Sequence, residues 1–397
     1  MASGEARLEI VRAEYAERRA RLTGSLQREG YAALCVFGPT RVAYLTGFFF
    51  AATERPVALV LTADGEARVL IPELEGSHFA QQCPDLPNVT TYPEYPGGGS
   101  GVHPLSALLP LLPPGPLAAD LDGYEHRWGY RGPRLSALTG RPVAERLDLI
   151  DDLRTVKSAA EIALIREACR WGDRAHRVMQ DAIQVGASEL LVSHESSLRA
   201  TREMLAELGA RYVPKAREGL PANAMFIRGH NTANPHGLHQ AGGVQPGDTL
   251  VTGAYGTVGG YESELERTLF VGEPTPEQAR FFQAMLDAQE AGMAALRPGR
   301  ACSEVEREVQ AVMEATGVRA YWRHHTGHAF GMEGHEHPFL DLDDHTEIRP
   351  GMIFSIEPGI YVPGLGGFRH SDTLLVTETG SERLSLYPRD LDSLIIN

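Results

Sequence analysis

The chain is short of several things, and each shortage excludes a class of function. Four cysteines in 397 residues (Cys35, Cys83, Cys169 and Cys302) lie far apart, with no C-x-x-C pair and no metal-binding spacing. That excludes a disulfide-stapled secreted scaffold and reads as reduced thiols of a cytoplasmic protein. Positive charge is also scarce: 37 Lys and Arg against 52 Asp and Glu leave a formal net charge of −15. A nucleic-acid partner would want a basic face, so none is expected. No apolar run reaches the length of a membrane span, and the opening MASGEARLEIVRAEYAERR is charged and helical in pattern, without an apolar signal core. Neither a membrane nor an export route is expected. What remains, at 43% apolar and 22% charged residues, is a soluble globular composition with ample core. A chain of this length is expected to form two domains.

Residues 5–29 have the pattern of an amphipathic helix ended at Gly30, followed by a buried strand at Ala32–Phe37 and a short helix at Pro39–Leu45. Ala63-Asp64-Gly65 between two apolar runs is a hairpin signal. Tyr95–Gly101 is expected to be a plain loop. Residues 1–150 are therefore read as a smaller α/β domain with a mixed sheet. A boundary is expected near Asp151–Lys157, and residues 155–397 form the second domain. There Ser158 and Glu161 make a capping box, Thr275-Pro276-Glu277-Gln278 a second, and Ser303 with Glu306 a third. Two helix pairs, each followed by strands, suggest an internal pseudo-repeat. The expected class is α+β, with helices on one face of a largely antiparallel sheet.

The chemistry concentrates in four patches. His324 to Pro338 holds five of the chain's 15 histidines, and its glycines favour strand and turn over helix. Imidazoles titrate near neutrality and suit a reaction centre, although a His-rich surface loop would look the same. Glu262, Glu264 and Glu266 alternate, so they would share one strand face; this suits a solvated face, or a buried one that needs a metal, a cationic ligand or a shared proton. Glu357 ends an apolar run, Met352–Ile356, where a carboxylate needs a partner. The fourth patch is Gly229–His236, and Gly367–Asp372 follows Glu357.

The phrases NPH, GYESE, TGHAFGMEGHEHP, PGMIFSIEPGIY and GGFRHSDTLLVTETG occur in the order found in the pita-bread superfamily of aminopeptidase P, prolidase, methionine aminopeptidase and creatinase, which residues 155–386 resemble. Residues before 150, with Arg41–Phe48, are similar to the creatinase/prolidase-type N-terminal domain. The resemblance implies a duplicated α+β catalytic domain with a central site, and a homodimer. It also implies a pair of divalent metals held by two Asp, one His and two Glu. The His falls on His328 and one Glu on Glu357. The second Asp falls on Glu264, the first on Gly253 or Thr252, and the last Glu on Ser371. Two of five ligands are thus missing, and a full dinuclear centre is not expected. A single Zn²⁺ or Mn²⁺ on Glu264, His328 and Glu357, with His370 as a fourth donor, is one outcome; no metal at all is the other.

The resemblance further implies His236 and His335 as proton-transferring groups beside Glu357 and Glu266, with His328, Arg369, Tyr261 and His324 contacting substrate. Leu265-Glu266-Arg267-Thr268 matches the metal-independent creatinase branch. Three functions follow: an Xaa-Pro peptidase with a reduced metal site acting on short peptides, a metal-independent C–N hydrolase of a small amidino or amide compound, and a non-catalytic binding protein.

Overall fold

The computed structural model describes residues 6–93, 102–124 and 129–397; the loop expected at Tyr95–Gly101 lies outside them. The chain divides into two compact units, Ile10–Arg154 and a second formed by Thr155–Asn397 with the segment before Ile10.

The first unit opens with α1 (Arg12–Glu29), which starts later than its pattern suggests. Val11, just before it, is extended, and Leu8 bridges Tyr212 in the second unit's own fold. Gly30, at φ 77°, ends the helix in the left-handed conformation that glycine takes without strain. Then come β1 (Ala33–Val36), α2 (Pro39–Thr46), β2 (Ala58–Thr62), β3 (Ala67–Pro72), α3 (Gly76–Gln82) and β4 (Val89–Tyr92). β5 (Leu117–Ala119), α4 (Leu135–Thr139), β6 (Val143–Glu145) and α5 (Asp148–Thr155) complete the unit. Its strands form a mixed six-stranded sheet in the order β4-β3-β2-β1-β5-β6, with β2–β3 as the expected hairpin. Cys35, Val60, Leu70, Leu105 and Leu117 are among its core residues.

The second unit starts with α6 (Ala159–Ala182), capped by the expected Ser158–Glu161 box, and α7 (Glu189–Leu208), capped by Ser188. β7 (Ala222–Arg228), β8 (Thr249–Val258), β9 (Tyr261–Glu262) and β10 (Leu265–Val271) follow. The second helix pair is α8 (Pro276–Ala295), opened by the Thr275–Gln278 box, and α9 (Cys302–Ala315). The remaining strands are β11 (Gly327–Ala329), β12 (Glu336–Leu340), β13 (Ile353–Ile356), β14 (Gly359–Val362), β15 (Gly366–Arg369), β16 (Ser371–Val376), β17 (Ser381–Arg383) and β18 (Ile395–Ile396). The main sheet runs β12-β11-β13-β16-β10-β8-β7, antiparallel throughout this path. Each helix pair is followed by its own set of strands, and the two sets meet at β10 and β16. This is the duplicated α+β arrangement the sequence suggests.

The third capping box is not one. Glu304, not Glu306, reaches back to the Ala301 N–H at 2.7 Å, and Ser303 is buried at the second position of the helix rather than at its cap. Glu306 instead accepts from the Thr326 N–H and hydroxyl at 2.8 and 2.5 Å, which pins the start of the His-rich stretch to α9. Among the described residues no helix is long and apolar enough to cross a membrane.

Candidate active site

Register fixes which side chains can meet. Gly253 of β8 pairs with Glu266 of β10, which pairs with Ser371 of β16. Directly paired residues share a face, so these three stand side by side across three strands. Thr252 and Arg267 pair one position along and face the other way, where the Thr252 hydroxyl meets His176 of α6 at 2.6 Å. The choice between Thr252 and Gly253 is thereby resolved. Gly253 occupies the site-facing position, and a Cβ there would lie 3.9 Å from Glu266 Oε1 in ordinary contact.

On this face Glu264, His328 and Glu357 converge, offering one donor atom each within 4.8 Å of one another. His328 Nε2 lies 3.2 Å from Glu357 Oε1 and 3.5 Å from Glu264 Oε2. Burial opposes charging this imidazole, but the two carboxylates outweigh it and lift His328 to about 9. Glu357 goes the other way: burial resists ionisation, and the contacts to His328 and Arg369 win, holding it near 2. Burial, with Glu357 close by, pushes Glu264 up. Its Oε1 accepts a 2.5 Å hydrogen bond from Ser371 Oγ, so the residue standing at the bridging-carboxylate position contributes a hydroxyl donor.

Beside this triad is a second charged group. Arg369 Nη2 donates to Glu266 Oε1 at 2.6 Å, and its Nε lies 2.5 Å from Oε2. Nη1 donates to the Tyr361 hydroxyl at 3.1 Å. Tyr361 is 2.8 Å from His324 Nε2, while His324 Nδ1 lies 2.9 Å from the His325 carbonyl. A carbonyl only accepts, so His324 carries its proton on Nδ1 and Nε2 accepts from Tyr361. Burial lowers His324 and keeps it neutral, which agrees with that tautomer. The approach is close enough that a Cβ on Gly359 would fall 2.4 Å from the Tyr361 hydroxyl, so only glycine fits there.

The His-rich stretch supplies the exposed side. His335 stacks on His328 with ring centroids 3.8 Å apart. It is exposed, yet its pKa is lowered, by partial burial and by the positive field of His328. His236 is exposed and close enough for its charge to weigh on His335. The turn is anchored from beneath: Glu336 Oε1 accepts from the Met332 and Glu333 N–H groups, and Oε2 lies 3.3 Å from the buried Lys157 ammonium.

Several expected site residues lie elsewhere. Tyr261 is buried and commits its hydroxyl to Glu161 of α6 at 2.8 Å, so it has no place in substrate contact. His370 alternates to the helix-covered face, against Phe282 of α8, and is not a fourth donor. The three alternating glutamates are not one strand face: Glu262 belongs to β9, and burial together with Glu336 raises it to about 7. Three contributors were missed. Ser371 was read only as a lost ligand, Tyr361 only as part of a phrase, and Lys157 only as a boundary residue. The signal for Tyr361 was its place four residues after Glu357, past a Pro-Gly turn.

A two-ion centre does not fit these residues, because Gly253 and Ser371 supply no carboxylate and the one between them, Glu266, is held by Arg369. A single ion fits the Glu264, His328 and Glu357 donor set: two carboxylate oxygens and one imidazole nitrogen.

Residues 163–378 match metallopeptidase family M24, and residues 18–114 match the creatinase/prolidase N-terminal domain. An Xaa-Pro dipeptidase of Pyrococcus furiosus is 32% identical over 244 residues, covering 62% of this chain and 67% of that protein. A probable dipeptidase, PepE, of Mycobacterium tuberculosis is 30% identical over 378 residues, 95% of this chain and 96% of its own. The crystal structure of dipeptidase PepE from Mycobacterium ulcerans superposes with a TM-score of 0.82 at 28% identity, covering 98% of this chain and 99% of that one. Over both of its units, then, the chain belongs to metallopeptidase family M24, with a creatinase/prolidase-type domain ahead of the pita-bread catalytic domain.

Proposed function

We propose that this protein is a cytoplasmic hydrolase of Xaa-Pro dipeptides or short peptides whose site holds no more than one divalent ion. The observation that carries this reading is the row Gly253–Glu266–Ser371. The two positions where carboxylates would complete a metal pair are empty of them, and the carboxylate has moved to the strand between, where Arg369 claims it. The names of the relatives support the substrate class. The four cysteines, all buried and none paired, support the compartment.

Glu264, His328 and Glu357 would hold a Zn²⁺ or Mn²⁺ ion, which when bound there supplies Lewis acidity toward a carbonyl and an acidified water. The remaining work falls to the chain itself. Arg369 is a fixed cation next to the triad; its Nη1 donates to Tyr361 and the Pro235 carbonyl and its Nη2 to Glu266, so the second Nη2 hydrogen is left to meet a substrate oxygen. His335, exposed and with its pKa lowered, can take a proton from the attacking water and then pass it to the leaving amine, with His236 beside it on the solvent side.

One observation favours a metal-free variant of the site: without an ion, the imidazolium of His328 already neutralises Glu357. Against an amidino substrate stands Glu266, whose carboxylate is occupied by Arg369 and has no second cation to seek. The test is metal content of protein purified without chelator, paired with hydrolysis of an Xaa-Pro dipeptide with and without added Mn²⁺ or Zn²⁺. One equivalent per chain and ion-dependent turnover are expected. Two equivalents would sink the reading. EDTA-resistant hydrolysis of a cyclic amidine, with no action on the dipeptide, would replace it by the metal-independent alternative.

A further inference from the structure

The turn between β11 and β12 carries His335, and its own sequence does little to give it a shape. Gly331 to His335 form neither helix nor strand, and two of the five are glycines, which leave the backbone free. Such a segment holds one conformation only where its main-chain groups are tied down. Glu336 ties two of them: its Oε1 accepts from the Met332 N–H at 2.9 Å and from the Glu333 N–H at 3.2 Å. The Gly331 N–H donates to the Glu333 carbonyl at 3.2 Å, and the Gly331 carbonyl accepts from the Glu262 N–H at 2.8 Å.

The carboxylate at the centre of this arrangement is met from a distant part of the chain. Lys157, just before α6, has its main chain fixed by the Gly351 carbonyl at 2.9 Å. Its ammonium lies 3.3 Å from Glu336 Oε2, and the two side chains are 1% and 6% exposed. A lone charge at that depth is costly, which keeps the pair together. The turn rests directly on it: a Cβ on Gly331 would come 3.1 Å from Lys157 Cε and 3.2 Å from both Glu336 carboxylate oxygens. From the ammonium the line of contact runs through Glu336 and two turn amides to His335, whose ring stacks on His328 at 3.8 Å. Lys157 is too deep to touch substrate, yet it stands one carboxylate away from the segment that does.

We propose that Lys157 is a positioning residue for proton transfer: through Glu336 it sets the turn so that His335 meets the leaving amine. The inference rests on the reading of His335 as the group that delivers that proton. As the C–N bond breaks, the nitrogen takes its proton from His335, while the oxygen of the attacking water stays on the acyl carbon. A displaced imidazole loses that step and leaves substrate binding in place.

Lys157→Met keeps most of the side chain's bulk and removes its charge. It is expected to lower kcat on an Xaa-Pro dipeptide about 30-fold, with KM changed less than about threefold. On the thioester analogue, whose thiolate leaves without a proton, the loss should be smaller by about fivefold or more. Hydrogen exchange needs no substrate, and the Met332 and Glu333 amides should exchange about tenfold faster than in the parent, with those of β13 unchanged. Gly331→Ala presses the turn off the same pair and should repeat the pattern at a smaller size, so the test stands even should Lys157→Met fail to fold. Unchanged exchange at Met332 and Glu333 in these variants, or equal losses on dipeptide and thioester, would overturn the proposal. His335→Gln separates it from the reading beneath it. Parental turnover in that variant would remove the role of His335 and the proposal with it; a crippled His335→Gln beside an unaffected Lys157→Met would remove the proposal alone.

Discussion

Two buried arginine–carboxylate pairs sit on opposite faces of one sheet, and their difference separates structure from function. On the helix-covered face, Arg267 and Asp372 are both fully buried at 2.8 Å. All five Arg267 N–H donors have partners: Asp372 and the carbonyls of Glu266, Ser371, Tyr387 and Pro388. Asp372 further accepts from Ser385 and Gln289. On the other face, Arg369 and Glu266 are one-tenth exposed or slightly more and retain a spare donor. They also lie against a protonated His328 and a cluster of carboxylates that repel one another. The first pair is closed to everything but its own neighbours; the second is poised to meet something else. Charge is alike in the two and burial differs by little, so it is saturation of hydrogen bonding that marks the difference.

The largest expected effect tests the closed pair. Removing one partner of a buried ion pair leaves an uncompensated charge and costs about 3–5 kcal/mol. Asp372→Ala should therefore lower the urea midpoint by that order or prevent soluble expression. Glu266→Gln, on the open side, should cost less than half as much. Equal losses in the two variants would break the comparison.

Next in size is the converse on activity. Arg369→Gln should reduce kcat/KM at least about 100-fold, roughly 2.7 kcal/mol of transition-state stabilisation, with a modest loss of stability. Stability is protected because burial already pushes Glu266 up, to about 8, and without Arg369 it simply takes a proton. Steady-state kinetics on an Xaa-Pro dipeptide, beside a thermal melt, reads both. A variant that unfolds but, once refolded, turns over at the parental rate would assign Arg369 to structure.

These contrasts mark how far the sequence could be read. The elements were legible because their signals are local: Ser158–Glu161, Thr275–Gln278 and the hairpin glycine act within a few residues. The convergence of Glu264, His328 and Glu357 was legible through family phrases, not through periodicity. What escaped depends on register and on long-range partners. No local pattern tells whether Thr252 or Gly253 faces the site, since a one-residue shift exchanges the faces. Nor could spacing show that Glu306 serves Thr326, that His370 turns toward α8, or that Tyr261 is spent on Glu161.

A pH titration sharpens the comparison further. His328 is raised from 6.5 to about 9 in the folded metal-free protein, so its contribution to stability is fully present below pH 6.5 and lost as pH rises through 9. A shift of that size corresponds to at most about 3 kcal/mol. Urea unfolding at pH 6 and pH 9.5 should show a larger loss in the parent than in His328→Ala, which keeps the part due to Glu266, raised to about 8, and Glu262, raised to about 7. Because an ion must displace the same proton, affinity for Zn²⁺ should climb over the same range. A slope in His328→Ala as steep as the parent's would move the titration to another group.

The smallest effect concerns what holds Arg369 in place. Tyr361 accepts from Arg369 and donates to His324, while the five donors of Arg267 go to one side-chain carboxylate and four main-chain carbonyls. Arg369 has one main-chain contact, to the Pro235 carbonyl at 3.3 Å, against four for Arg267, and so keeps freedom that Arg267 lacks. Tyr361→Phe removes both hydrogen bonds without opening a cavity, and the net cost of a typical hydrogen bond is about 1 kcal/mol, so stability should fall by about 1–2 kcal/mol. Arg369 keeps its hydrogen bond to Glu266, and kcat should drop less than tenfold, with KM moving more if the guanidinium meets substrate directly. A kcat loss as large as that of Arg369→Gln would mean that the orientation set by Tyr361, rather than the charge on Arg369, is what the open pair provides.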